Sequence, residues 1–425
     1  MRFRRQIILL FFVLATSGVS VGVCFGQTAE KVRPGDVDHT RFDELRLQGY
    51  EALYSLDYEE ARRLFKEMAR LFPDHPAGPQ CLAATLWLQE LNRSRHLQAS
   101  LYSTESFSTS EDKVDPHLVE QFRQWTRTAK VLAEARLRRN PRDVEALYFL
   151  GVTEGLKAVF AAAVERRFVA ALGDSSRAVD RHRQVLKLDP AFRDAELSIG
   201  MYQYIIGSLP LPIKLMASIG GMRGSKKRGL ETLERVAKEG RWAQDIARLL
   251  LIDLYKREKR WTEAIALSRE LGARYPRNYI FQLQAADALV ARAAISRQTK
   301  GGSESAARAD QQEAFRIFES LLRDRGKGVG QGSDAASDLI HYRYGEALLS
   351  SGQPARATEE FLAAKGQGSA QTSLTTMARL RAAQSMDLAG RRSEALAEYR
   401  AVLKRPKFNR SYEEARRGLS EPYRK

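Results

Sequence analysis

Cysteine is nearly absent from this 425-residue chain, which has two, Cys24 and Cys81. A disulfide framework of the kind that staples small exported domains is therefore excluded. Histidine is also sparse: His39, His75, His96, His117, His182 and His341 are scattered, and none makes the i, i+4 pair with a glutamate that marks a zinc helix. The chain has no G-x-S-x-G elbow and no Walker spacing. Two stretches imitate a phosphate loop, GGMRGSKKR and RDRGKGVGQGSD, but neither has the required glycine spacing, and the second follows a helical pattern rather than a strand. Runs of alternating β-branched residues are missing too. These absences leave no footing for a catalytic site. The expectation is a non-enzymatic chain without cofactor or metal.

What is present is a helical pattern that recurs. Leu45, Gly49 and Ala52 mark one helix; Ala61, Phe65, Met68 and Pro73 mark the next. Later segments repeat the order. Ala129 and Pro141 close a second pair. Leu147, Leu150 and Gly151 open a third, which Ala178 and Pro190 close. Ile199 and Gly200 open a fourth, with Gly229, Leu233 and Val236 in its second helix. Leu251, Tyr255, Ala264, Leu271 and Pro276 give a fifth, and Phe281, Ala314, Phe318 and Leu321 a sixth. Tyr344, Gly345, Leu348, Ala357 and Phe361 give a seventh, and Ala382, Met386, Ala395, Tyr399 and Val402 an eighth. The chain resembles the tetratricopeptide-repeat family, whose helix–turn–helix unit of about 34 residues carries small and bulky residues at these offsets. The resemblance implies an all-α, right-handed α-solenoid of about eight such pairs, with insertions and a capping helix at 409–421. No pair buries its apolar face alone, so neighbours must stack.

The N-terminus has a different character. Arg2, Arg4 and Arg5 precede the run QIILLFFVLATSGVSVGVCFG, the pattern of an export signal. Cleavage after Gly26 is the first reading. An uncleaved membrane anchor, and lipidation at Cys24, are the alternatives; all three place the rest of the chain outside the cytoplasm, periplasmic or secreted. If Cys24 leaves with the signal, Cys81 has no intramolecular partner. Its helical apolar surroundings favour a buried small hydrophobe over a reactive or intermolecular thiol. Net charge is +17, but arginine is spread over nearly every helix rather than gathered in a block, so solvated helix faces are expected and nucleic acid is not. The sequence divides into a signal (1–26), a linker (27–40), N-terminal units (41–141), central units (142–240), a fifth and sixth unit (241–322), a loop (323–336) and C-terminal units with the cap (337–425).

Polar inserts fall at 103–115, 296–311 and 323–334. A fourth insertion, 205–222, differs in kind: prolines Pro210 and Pro212 lead into the apolar IKLMASIGG, and RGSKKRG follows. It is similar to an insertion in tetratricopeptide relatives of the Iml2 type. Two readings apply: a short helix tucked across the stack, or, through 205–228, a contact with a membrane surface or ligand. The family's groove is lined by the first helix of each pair. That resemblance places partner contacts at Arg46, Tyr50, Tyr148, Met201, Tyr204, Asp253, Lys256 and Tyr342, with Glu346 beside the last. The functional expectation is an exported scaffold that holds a protein or peptide in its concave groove. The alternative is an envelope carrier or assembly subunit for a lipid or small hydrophobic ligand. Oligomeric state is not set by the sequence.

Overall fold

The computed structural model describes residues 34–93, 114–165, 167–219, 221–299, 301–325, 334–365, 372–408 and 410–424. The signal segment 1–26, most of the 103–115 insert and most of the 323–334 loop lie outside the described residues. The described residues are helical throughout and contain no strand. The described residues form two compact units: unit 1 within 34–91 and 114–254, unit 2 within 92–93 and 255–424.

Unit 1 holds α1 (Pro34–Tyr54), α2 (Tyr58–Leu71), α3 (Ala77–Arg93, its last two residues falling in unit 2), α4 (Pro116–Arg139), α5 (Val144–Ala163), α6 (Phe168–Leu188), α7 (Glu196–Gly207), α8 (Leu211–Ile219) and α9 (Lys226–Glu239). Helix α10 (Gln244–Arg257) crosses the division. Unit 2 continues with α11 (Trp261–Arg274), α12 (Tyr279–Gln298), α13 (Glu304–Arg325), α14 (Asp334–Ser350), α15 (Pro354–Lys365), α16 (Thr372–Leu388), α17 (Arg392–Leu403) and the capping helix α18 (Ser411–Ser420). The close hairpins are α1–α2, α5–α6, α7–α9, α12–α13, α14–α15 and α16–α17. First helices of successive pairs also touch, α12 with α14, α14 with α16, and α16 with α18. That next-but-one contact is what makes hairpins a stacked array.

Four hairpin turns are built identically. Leu56, Lys259, Gly352 and Gly390 have φ of 64°, 60°, 77° and 75°. In each turn the next residue's N–H donates five residues back: Asp57 to Ala52, Arg260 to Tyr255, Gln353 to Leu348 and Arg391 to Met386, at 2.8–2.9 Å. The preceding helix thus ends on a left-handed residue that satisfies its last carbonyls. Two of the four positions hold a side chain where glycine would be unstrained. Capping carboxylates start other helices. Asp57 accepts from Glu60 N at α2, and Asp143 from Ala146 N at α5.

Inside a hairpin the two helices meet where a small residue faces a large one. A Cβ on Gly345 would lie 2.7 Å from the Phe361 ring; Gly49 faces the Phe65 ring in the same way. In the third pair the ring is an imidazole: a Cβ on Gly151 would stand 2.5 Å from His182 Nε2. The fourth pair is tighter. Gly229 lies against the backbone of Tyr204 and Gly200, so a Cβ there would come within 2.6 Å of Tyr204 N. Helix α5 is long and apolar enough to cross a membrane, but it is almost wholly buried inside the protein and is a core helix.

Gly229→Ala should lower stability by about 1–3 kcal/mol, because its neighbour is backbone and cannot yield. Gly173→Ala meets only the flexible end of Arg177 and should be neutral or stabilising by up to about 1 kcal/mol. Chemical denaturation followed by circular dichroism measures both. Lys259→Gly should gain about 1 kcal/mol by relieving the left-handed backbone, and it belongs in the same series.

Candidate partner-binding surface

The structure places most of the sequence-predicted contact residues out of a partner's reach. Arg46, Tyr50, Tyr148, Met201, Tyr204 and Tyr342 are all buried. Arg46, Tyr50, Tyr148, Tyr204 and Tyr342 pack against a neighbouring helix or turn instead of lining an open surface. The Tyr50 ring meets Phe65 edge-on at 5.2 Å, and its hydroxyl lies 3.3 Å from Cys81 Sγ. Tyr342 meets Phe361 at 5.5 Å, and burial pushes its phenol well above the ordinary value. Tyr204 lies under α9, with the Lys226 ammonium 6.0 Å from its ring centre. Asp253 and Lys256 are half-buried.

Trp242, in the turn between α9 and α10, explains the fate of Arg46 and Tyr148. Its ring stands 5.4 Å from Tyr148, 5.6 Å from Phe149 and 5.4 Å from Phe192. The Arg46 guanidinium lies 4.3 Å from the same ring and 3.0 Å from Asp43. Asp43 in turn accepts from Arg241 at 2.5 Å. Repeat one therefore touches the end of repeat four, and aromatic rings fill the inside of unit 1. The turn is held by Asp194, whose Oδ1 accepts from Trp242 N and Ala243 N, both at 2.7 Å. Burial nevertheless raises the pKa of the Asp194 carboxyl.

Behind Tyr148 lies His182. Its Nε2 is 3.1 Å from the Tyr148 carbonyl and must donate to it; its Nδ1, 2.6 Å from Ser198 Oγ, then accepts. Burial lowers its pKa to about 4. Cys81 is buried as the sequence implied, and burial pushes its thiol up to about 12. A thiol so placed is neither nucleophile nor disulfide partner. Near the end of α2, a cleft of about 410 Å³ is lined by Phe72, His75, Arg136, Arg139, Asn140 and Asp143, among others. Arg136 already forks onto Asp143 and reaches Glu145, so that charge is paired internally.

Unit 2 differs. A row of polar side chains crosses its first helices. Lys256 Nζ lies 3.9 Å from Asp287 on α12, and Arg343 on α14 pairs with Asp287 at 3.0 Å. One turn along α14, Glu346 takes both arms of Arg381 on α16 at 2.5 Å each. Arg381 also donates to Gln384, which donates to Glu414 on α18 at 3.0 Å. Lys256, Asp287 and Arg343 keep only 10–15% of their side chains exposed, and Glu346 and Arg381 27% each, so the row is chiefly a tie between repeats with a narrow polar edge. The family offset found Lys256 and Glu346. It missed Asp287, Arg343 and Arg381, whose signal is opposite charge at matching depth on successive first helices. Among the described residues, no three of His, Cys, Asp and Glu come together as a metal site.

No protein-family model and no curated protein matches the chain. Solved structures to which it is similar include a human IFIT1 dimer with PPP-AAAA, 13% identical over 90% of this chain and 84% of that one, TM-score 0.44. Yeast Tom70 is 12% identical over 87% and 86%, TM-score 0.39. TTC0263, a thermophilic TPR protein of Thermus thermophilus, is 16% identical over 60% and 99%, TM-score 0.33. At such scores no residue correspondence follows, and the tetratricopeptide-like architecture stands on the hairpins described above.

Two measurements check this geometry. His182 binds its proton more weakly folded than unfolded, so its contribution is present above about pH 6.5 and is lost as pH falls towards about 4. The full loss amounts to about 3 kcal/mol. Asp194 and Glu154, raised by burial, act in the opposite sense. The difference between wild type and His182→Gln across that window isolates the histidine. Cys81 should resist a thiol reagent in the folded protein and react once denaturant is added.

Proposed function

We propose that this protein is an exported, non-catalytic scaffold that holds a protein or peptide partner on the first helices of its tetratricopeptide-like pairs. The observation that carries this reading is the polar row of unit 2. Successive first helices present Lys256, Asp287, Arg343, Glu346, Arg381 and Glu414 in register, partly exposed. A row of alternating charge, pinned by its own cross-repeat pairs, is preorganised for the polar groups of an extended segment and loses little side-chain freedom on binding. The Arg381 fork is engaged by Glu346 and Arg343 is paired with Asp287, so the row offers a partner its remaining N–H groups and carboxylate lone pairs, which suit peptide N–H and C=O groups. Export is supported by the basic start and the apolar run that follows. A non-catalytic role is supported by the lack of a recognisable catalytic motif in the sequence.

Photo-crosslinking tests the reading. A crosslinker placed at Arg343 or Arg381 should capture a stoichiometric partner in the native envelope fraction, while one at the exposed Lys404, just past the second helix of the last pair, should not. Arg343→Ala and Arg381→Ala should each weaken capture at the other position by about tenfold or more. They should leave the helical circular dichroism in place. Equal capture at Lys404, or capture indifferent to both substitutions, would defeat the assignment.

A further inference from the structure

The insertion between α7 and α9 has a role the polar row does not absorb. Helix α8 begins after Pro210, with Pro212 in its first turn, where a missing N–H costs nothing. Leu211 and Leu215, one helical turn apart, are 71% and 58% exposed. Such isolated leucines are ordinary singly; here they share one face of a helix whose surroundings carry one sign of charge. From Leu197 to Leu230 there is no acidic residue, while Lys214, Arg223, Lys226, Lys227 and Arg228 are all present. The last four are exposed. Lys227 has Glu231 only at 3.9 Å, an exposed and weak pairing.

The base of the excursion is fixed. A Cβ on Gly224 would lie 2.6 Å from both Gln203 O and Ile206 Cβ, and Gly207 sits as closely on Ser225 and Lys226. The two ends of the insertion are thus clamped backbone to backbone between α7 and α9. The exposed leucines and the cations leave the hairpin from one fixed point.

We propose that α8 and the basic stretch after it dock onto an anionic lipid surface. The leucines enter the headgroup boundary, and Arg223, Lys227 and Arg228 face the lipid phosphates. Charge complementarity selects this occupant. Nucleic acid would account for the cations but leaves Leu211 and Leu215 in water, and a neutral apolar groove would leave the cations unmatched. The proposal is independent of the peptide-binding reading and survives or fails apart from it.

The test uses the full chain carrying Leu215→Trp, with wild type, which has four tryptophans of its own, as the background. On phosphatidylcholine vesicles containing about a third phosphatidylglycerol, the variant should show an added blue shift and added quenching by brominated acyl chains. Combining it with Arg223→Gln, Lys227→Gln and Arg228→Gln should raise the lipid concentration for half effect by roughly tenfold or more. No added shift overturns the proposal. So does an equal shift on phosphatidylcholine alone, or the same shift produced by single-stranded RNA. If the tryptophan alters the thermal melt, Leu215→Glu takes its place in vesicle flotation. A several-fold drop in the salt-sensitive bound fraction then supports the proposal, and an unchanged fraction overturns it.

Discussion

A small residue against a large ring, deep inside a hairpin, is the contact on which the architecture depends. Gly49 on Phe65 and Gly345 on Phe361 let two helices approach until the ring fills the gap the missing side chain leaves. Helices at that distance bury the ring entirely, and a buried aromatic of this size contributes about 2–3 kcal/mol. The turn that joins these helices can then be short, ending on the left-handed residue at 56 or 352. Local geometry and long-range packing demand the same spacing, which is why one pattern can be copied along the chain.

Unit 1 adds a second constraint. In an ideal array each repeat meets only its neighbours. Here Asp43 and Arg46 of α1 reach Arg241 and Trp242, nearly two hundred residues on. The cluster around Trp242 mixes rings with a guanidinium and with the buried Asp194. Arg46 donates to Asp43 and Asp194 accepts from two backbone N–H groups, while Trp242 Nε1 and Arg46 Nε are buried without a hydrogen-bond partner among the described residues. Cutting Asp194 would leave two buried N–H groups without their acceptor, a change that costs about 1–3 kcal/mol for each.

The sequence made the helix pairs legible because their signature is periodic and local. Ala61, Phe65, Ala264, Ala357 and Phe361 sit in the core at the offsets that identified them. Cys81, read from its apolar neighbours, is buried as well. The contact residues were less legible. A fixed offset after the signature glycine finds the helix face but not what covers it. Tyr50 and Tyr342 turn onto the rings of their own hairpins, and Arg46 and Tyr148 are covered by Trp242, whose arrival depends on tertiary closure that no local pattern encodes. His182 takes the ring position of the third pair, a substitution the family pattern does not anticipate. The polar row of unit 2 needed pairs compared across repeats, not positions read singly.

The glycine clamp beneath α8 makes the excursion a module. Because Gly207, Gly224 and Gly229 seat the α7–α9 hairpin directly on itself, the hairpin's closure does not depend on what is threaded between its two arms. Residues 208–223 are thus free to change length or chemistry while the repeat beneath keeps its register. For an engineer, this is the place to graft a foreign loop; for evolution, it is where an unchanging framework can acquire a new specificity at little structural risk.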